Sequence, residues 1–304
     1  MRAAATAGIT DISQNPLSWD LEHIVDPELK EKYAQIVSGI EQTQRFLQTV
    51  NTGSSTRADL LELYTSHEGL VLDYEQALTR QFPKKPYTSS FAFGSVKKQK
   101  GSAFYNTSAH FLWIGDRTRQ IDHAHVEFFR GVTNPIGIKI GPTTELTDIL
   151  ALLRIVNPDC EVGKVTLITR YGAAKVRSLL PAHIRAVEGS EHRGSVVWQC
   201  DPMHGNTVTA CGTKTRRFHD VCQELRETLD VHAEQGSHLG GIHLEMTAEA
   251  VTECTGGGEN LEDDDLSANY TTLCDPRLNE KQSIELALLV SNHFLEAGKA
   301  NAAK

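Results

Sequence analysis

The sequence predicts an α/β fold of the (β/α)8 barrel type, and three observations carry that expectation. Strand-like apolar runs alternate with helix-like segments from residue 60 onward, and consecutive β/α units imply a parallel sheet with right-handed crossovers. Polar residues recur at one place in these units: Asp116, Arg117, Lys139, Arg170, His204 and Glu245 all lie at or near the C-terminal ends of their strands. In a barrel that end carries the chemistry, and charges are too costly to bury there without purpose. The third observation is the run Val196-Val197-Trp198-Gln199-Cys200, which passes into a polar loop broken by Pro202 and Gly205. It reads as a buried parallel strand that delivers His204 to a rigid loop.

The elements follow in order. Residues 1–27 form an irregular arm with Gly8, Pro16 and Pro27. Residues 28–50 suit a helix, because Leu29, Tyr33, Ile36, Ile40, Phe46, Leu47 and Val50 recur near helical spacing. Leu60 to Thr65 is a short strand candidate, and residues 69–80 suit a helix. Residues 81–107 read as a long polar loop with the basic run Lys97-Lys98-Gln99-Lys100, and a loop of that length is usually functional. Solvation is the plain reading of its lysines. Strands are expected at Phe111–Gly115, Gly137–Pro142, Val165–Arg170, Val196–Cys200 and Ile242–Met246. Helices are expected over 116–130, 144–156, 172–187, 215–234 and 280–297. With the strand at 60–65 this makes six strands, dividing the chain into an N-terminal arm and helix (1–59) and a barrel-like domain (60–304).

Composition narrows the function classes. The chain has 304 residues, 39% of them hydrophobic and 23% charged, ordinary values for a globular protein. A net charge of -9 argues against nonspecific nucleic-acid binding. The six cysteines include no C-x-x-C pair, which fits a reducing, cytoplasmic setting. No apolar run is long enough to span a membrane. Met1 to Thr10 lacks the apolar core of a secretory signal, and a short organellar transit sequence is its alternative reading.

Two chemistries emerge from the strand ends. Arg117, Lys139 and Arg170 suit a ligand with a carboxylate and a phosphate, since guanidinium groups bind either anion bidentately. The alternative is that they pair with neighbours such as Asp116. His204, Glu245 and Asp275 form a His/Glu/Asp set of the kind that holds manganese, cobalt or iron, and a bound ion can polarise a carbonyl. A lone His that caps a loop is the alternative for His204. Lys214, Arg216 and Arg217 follow the Gly212 turn and suit either phosphate contacts or an exposed helix start.

Four segments resemble the class II (plant-type) 3-deoxy-D-arabino-heptulosonate 7-phosphate (DAHP) synthases, which begin the shikimate pathway. They are Trp113-Ile114-Gly115-Asp116-Arg117-Thr118-Arg119-Gln120, Asn134-Pro135-Ile136-Gly137-Ile138-Lys139, Cys200-Asp201-Pro202-Met203-His204-Gly205-Asn206-Thr207 and Cys274-Asp275-Pro276-Arg277-Leu278-Asn279. Gly240-Gly241-Ile242-His243-Leu244-Glu245 and Val251-Thr252-Glu253-Cys254 match as well. The resemblance runs in order from about Tyr64 to Phe294.

That resemblance implies an aldol-like condensation of phosphoenolpyruvate with erythrose 4-phosphate, releasing phosphate. It implies His204, Glu245 and Asp275 as metal ligands, with manganese first and cobalt or iron as alternatives. Asp116, Arg117, Lys139 and Arg170 become substrate contacts, and Lys139 and His204 are carried over as the catalytic pair. Departures are also visible. The family begins with two more β/α units, bearing a Cys ligand and a Lys-Pro-Arg-Ser phosphate-binding segment, and neither occurs in residues 1–59. Asp116 stands where the family has Glu. The expectation is therefore a barrel lacking its first two units, completed by a homo-oligomeric or other partner chain or by residues 1–59. Phosphoenolpyruvate binding is expected to survive, with slow or absent turnover by the isolated chain. The competing readings are a non-catalytic relative that binds a sugar phosphate or a partner synthase, and a fragment of a split gene.

Overall fold

The structure, a computed structural model, describes residues 21–50, 64–83 and 101–302. Its elements in chain order are α1 (Pro27–Val50), β1 (Ser66–Glu68), α2 (Leu72–Ala77), β2 (Thr79–Pro83), β3 (Ser102–Asn106), β4 (Phe111–Ile114), α3 (Ala124–Arg130), β5 (Ile136–Ile140), α4 (Leu146–Val156), β6 (Val165–Thr169) and α5 (Val176–Glu188). They continue with β7 (Val196–Cys200), β8 (Thr207–Ala210), β9 (Thr213–Arg216), α6 (Phe218–Glu234), β10 (Leu239–Ile242) and α7 (Glu280–Ala302). The chain divides into two compact units, one of residues 64–201 with 227–243, the other of residues 1–63, 202–226 and 244–304.

The first of these units holds a six-stranded sheet in the order β1-β4-β5-β6-β7-β10. Every neighbouring pair is parallel. Strand order is chain order, so each new strand is laid on the same edge, as in a (β/α)8 barrel. One face is apolar: Leu112, Ile114, Ile136, Ile138, Ile140, Val165 and Leu167 have no exposed surface. The helices supply matching stripes. Ile149, Leu152, Leu153 and Val156 of α4 are buried, as are Val176, Leu180, Ile184 and Val187 of α5, and both sets follow helical spacing. The other face is concave. Trp113 follows from β4 and His243 from just beyond β10, with three strands between them. On a flat sheet they would stand ~19 Å apart, yet their rings meet edge to face with centroids 4.9 Å apart. The sheet therefore curls as a barrel wall does. Among the described residues it does not close: β1 and β10 are its edges.

Room inside the curve is made by Gly137. A Cβ there would lie 2.7 Å from Ile168 Cδ1 and 2.9 Å from both Phe111 Cζ and Trp113 Cβ, so only glycine leaves these side chains where they are.

The other unit contains α1, the β8–β9 hairpin and α7. Ile24, Tyr33 and Ile36 from the first helix region pack with Leu288 of α7, flanked by Leu29 and Ile284. No helix among the described residues is long and apolar enough to cross a membrane.

Several expectations are corrected. Residues 60–63 of the strand expected at Leu60–Thr65 lie outside the described residues, as does the basic run at 97–100, and the strand is Ser66–Glu68. The segment read as a loop over 81–107 contains the antiparallel pair β2–β3, registered from Thr79↔Asn106 to Pro83↔Ser102. The helix expected from Asp116 begins only at Ala124. Asp116 and Arg119 instead form an ion pair beside a turn closed by Thr118 N–H on the Gly115 carbonyl. The helix expected over 215–234 begins at Phe218, because residues 213–216 pair with β8. The strand expected at Ile242–Met246 ends at Ile242. Its partner β7 stops at Cys200, whose carbonyl accepts the last rung from His243 N–H at 2.7 Å.

Candidate functional site

His204 opens a single 3-10 turn, His204–Asn206, four residues past β7. Asn206 anchors that turn. Its amide donates to the Pro202 carbonyl and to Glu224 Oε2, both at 2.8 Å. Glu245 is set by an isolated bridge, Met246↔Leu278, with Leu278 N–H donating to the Glu245 carbonyl at 2.9 Å. The loop bearing Asp275 is gathered by Glu253, which has no exposed surface. Glu253 accepts from the backbone N–H groups of Thr271, Thr272 and Arg277 and from Arg277 Nε and Nη2. Burial alone would raise the Glu253 carboxyl; the Arg277 fork and the backbone donors outweigh it and hold it below the ordinary range.

These three loops converge. One ligand atom from each of His204, Glu245 and Asp275 lies within 4.8 Å of the other two. His204 Nε2 is 3.3 Å from Glu245 Oε1 and 4.0 Å from Asp275 Oδ2. The second oxygen of each carboxylate meets a cation: Arg216 Nη1 on Glu245 Oε2, and Lys214 Nζ on Asp275 Oδ1. For Glu245, burial pushes upward, and the His204 hydrogen bond and Arg216 charge pull it below its usual value. Asp275 is likewise lowered, burial being outweighed by Lys214. Both carboxylates are thus kept ionised, the form a divalent ion requires. The donor set is one nitrogen and two oxygens, each with an atom turned to a common centre, and it fits a divalent cation.

Lys214 and Arg216 owe their places to the β8–β9 hairpin. Its two-residue turn, Cys211-Gly212, has φ of 49° and 79°, the doubly left-handed form that suits tight hairpins. Arg216 is fully buried, so of the two readings offered for it, phosphate contact or an exposed helix start, the second is excluded. The β-branched residues Thr207, Val208 and Thr209 before Gly212, and Thr213 and Thr215 after it, were the signal that could have found the hairpin.

In the sheet-bearing unit, Asp116 and Arg117 follow β4, Lys139 lies in β5 and Arg170 follows β6. Arg170 Nη1 donates to Asp116 Oδ2 at 2.7 Å, and Arg119 Nε to Asp116 Oδ1 at 3.2 Å. Buried Lys139 donates to Asp201, which has no exposed surface. The Lys139 ammonium also stands 5.7 Å from the centre of the Trp113 ring, within cation–π range. Arg117 is exposed. Asp201 lies within a motif quoted from the sequence but was not singled out there, although a carboxylate at a strand end is a natural partner for buried Lys139.

Comparison with known proteins bears on both sets of residues. The family model described as the Class-II DAHP synthetase family matches residues 1–291. The phospho-2-dehydro-3-deoxyheptonate aldolase of Neurospora crassa is 56% identical over 305 residues, covering 100% of this chain and 63% of that protein. That of Streptomyces coelicolor is 41% identical over 295 residues, 97% of this chain and 61% of the relative. That of Mycolicibacterium smegmatis is 40% identical over 293 residues, with coverages of 96% and 60%. The chain thus spans about three-fifths of the length of the curated relatives it matches. With the family's motifs falling at the strand ends and on the converging loops, and with a match over nearly the whole sequence, this chain belongs to the class-II DAHP synthetase family.

Proposed function

We propose that the chain serves a DAHP synthase reaction, a transferase step that condenses phosphoenolpyruvate with erythrose 4-phosphate and releases phosphate. The observation that carries this reading is the convergence of His204, Glu245 and Asp275, in a chain whose relatives are named phospho-2-dehydro-3-deoxyheptonate aldolase. These three residues hold a divalent ion, manganese first and cobalt or iron next, since a set without thiolate favours harder ions than zinc. Such an ion, when bound, supplies Lewis-acid polarisation of a carbonyl oxygen.

The remaining work falls to the chain's own side chains. Arg117, Lys139 and Arg170 bind the carboxylate and phosphate of phosphoenolpyruvate. The incoming anion competes with Asp116 for Arg170, while Lys139 keeps Asp201 and offers the anion its remaining ammonium donors. Asp116 keeps Arg170 and Arg119 oriented while no anion is present. Asp201 and the Trp113 ring hold the Lys139 ammonium in one place, and positioning of this kind supports attack by C3 of phosphoenolpyruvate on the aldehyde carbon. The six free thiols suit a reducing compartment such as the cytoplasm, and self-association is the proposed means of covering the sheet edges.

All three candidate ligands stand within reach of one another, so nothing in their geometry favours a non-catalytic relative. Calorimetry and a phosphate-release assay test the reading. Phosphoenolpyruvate should bind the wild type, and Lys139→Ala and Arg170→Ala should each weaken it about tenfold or more, the loss of a charge-assisted contact. Release of phosphate in the presence of erythrose 4-phosphate should rise on adding manganese. A folded protein that neither binds phosphoenolpyruvate nor responds to manganese would overturn the proposal.

A further inference from the structure

Arg216 occupies a position that neither a metal ligand nor a surface cation explains. It faces Thr207 in the hairpin register and its side chain is wholly buried. A guanidinium without solvent is costly unless its donors are met. Here Nε donates to Thr207 Oγ1 at 3.1 Å. Nη1 donates to Glu245 Oε2 and to the carbonyl of Pro276, the residue after Asp275. Nη2 is buried and meets no acceptor among the described residues. An unmet buried donor is destabilising, so stability alone does not select this arrangement. Both carboxylates are divided in the same way. Glu245 gives Oε2 to Arg216 and turns Oε1 to His204; Asp275 gives Oδ1 to Lys214 and turns Oδ2 to His204.

We propose that Arg216 is a positioning residue that makes Glu245 a one-oxygen ligand of the divalent ion. It occupies Oε2, and through the Pro276 carbonyl it fixes the loop carrying Asp275 against Glu245. An ion held by one oxygen of Glu245 would keep a position open for an oxygen of the substrate. Without the guanidinium, Glu245 would be free to offer both oxygens, which would raise the number of donors around the ion and close that position. The inference rests on the reading that His204, Glu245 and Asp275 bind a divalent ion.

Cobalt alone is the probe, because its visible absorption weakens as coordination number rises. The wild-type chain and Arg216→Met are titrated with Co2+ to saturation, with circular dichroism as the check on folding. Wild type should take up cobalt, and the absorption per bound ion in Arg216→Met should fall. Equal spectra at saturation in two folded proteins would overturn the proposal, since a purely structural Arg216 changes affinity and not coordination. If Arg216→Met does not fold, Thr207→Val carries the test. It removes the acceptor of Nε, together with the long contact of Thr207 Oγ1 to the Met203 carbonyl at 3.4 Å, and alters no ligand residue or charge, so the absorption should fall in the same direction by a smaller amount; no change overturns the inference. A wild type that takes up no cobalt sinks the metal reading itself, and this inference with it, a result distinct from equal spectra.

Discussion

Asp201 has no exposed surface, yet it accepts the buried Lys139 ammonium. Removing one partner of such a pair strands the other charge, at a cost of about 3–5 kcal/mol. Asp201→Ala is therefore expected to lose that much stability in urea unfolding at neutral pH. His232 gives a second expectation at this scale. It packs against Trp198 with ring centroids 5.5 Å apart, and its Nε2 is buried without an acceptor among the described residues. Burial first, and His238 second, push its pKa from 6.5 to about 4. A base with a lower pKa in the folded state binds fewer protons there than in the unfolded chain. Acid then favours unfolding, and stability falls as pH drops from 6.5 towards 4. This group accounts for up to ~3 kcal/mol of that loss. His232→Phe keeps an aromatic ring beside Trp198 and cannot be protonated. Urea unfolding at pH 7, 5.5 and 4.5 should show a shallower acid loss in the variant than in wild type; parallel curves would exclude His232 as the cause.

Elements inherit their limits from such contacts. β5 places Gly137 on the concave face, where Phe111, Trp113 and Ile168 occupy the space a Cβ would need. Gly137→Ala forces those side chains aside, and overpacking of this kind costs about 1–3 kcal/mol. A lower urea midpoint with unchanged slope would confirm a local packing cost; an unchanged midpoint would mean that the face relaxes freely. Strands with apolar runs were legible from residue type, although β7, expected to be buried, leaves Val197 36% exposed. The β8–β9 hairpin was missed despite the β-branched residues around Gly212, because Cys211-Gly212 lacks the usual Asn-Gly or Asp-Gly signal, and Lys214, Thr215 and Arg216 read as readily as the start of the following helix. The pair β2–β3 was missed for a related reason: Pro83 and the polar residues after it resemble a loop, and only the pairing partner makes the segment a strand.

At the scale of the whole molecule, a bound ion should act as a ligand of the folded state alone. Manganese at a hundred times its dissociation constant is expected to add ~2.7 kcal/mol to the unfolding free energy. Urea titrations with and without manganese measure this, and His204→Ala should abolish the gain. A gain that persists in His204→Ala would place the ion elsewhere.

The sequence by itself determined the class of fold, the number of parallel strands found among the described residues, though not the bounds of the first, and the residues that could hold an ion. Apolar periodicity and strand-end polarity are local properties, written in residue type and spacing. The resemblance carried by the segments around Asp116, Lys139, His204 and Asp275 pointed to the same family that the comparisons identify. The tertiary structure decided which charges meet. It set Arg170 on Asp116 and Lys139 on Asp201, it buried Arg216, and it gave Glu253 the task of gathering the Asp275 loop. Pairing with Asp116 was the alternative the sequence offered for these cations; the other pairings have no sequence signature, because the partners lie tens of residues apart and their meeting depends on the curl of the sheet and the packing of loops.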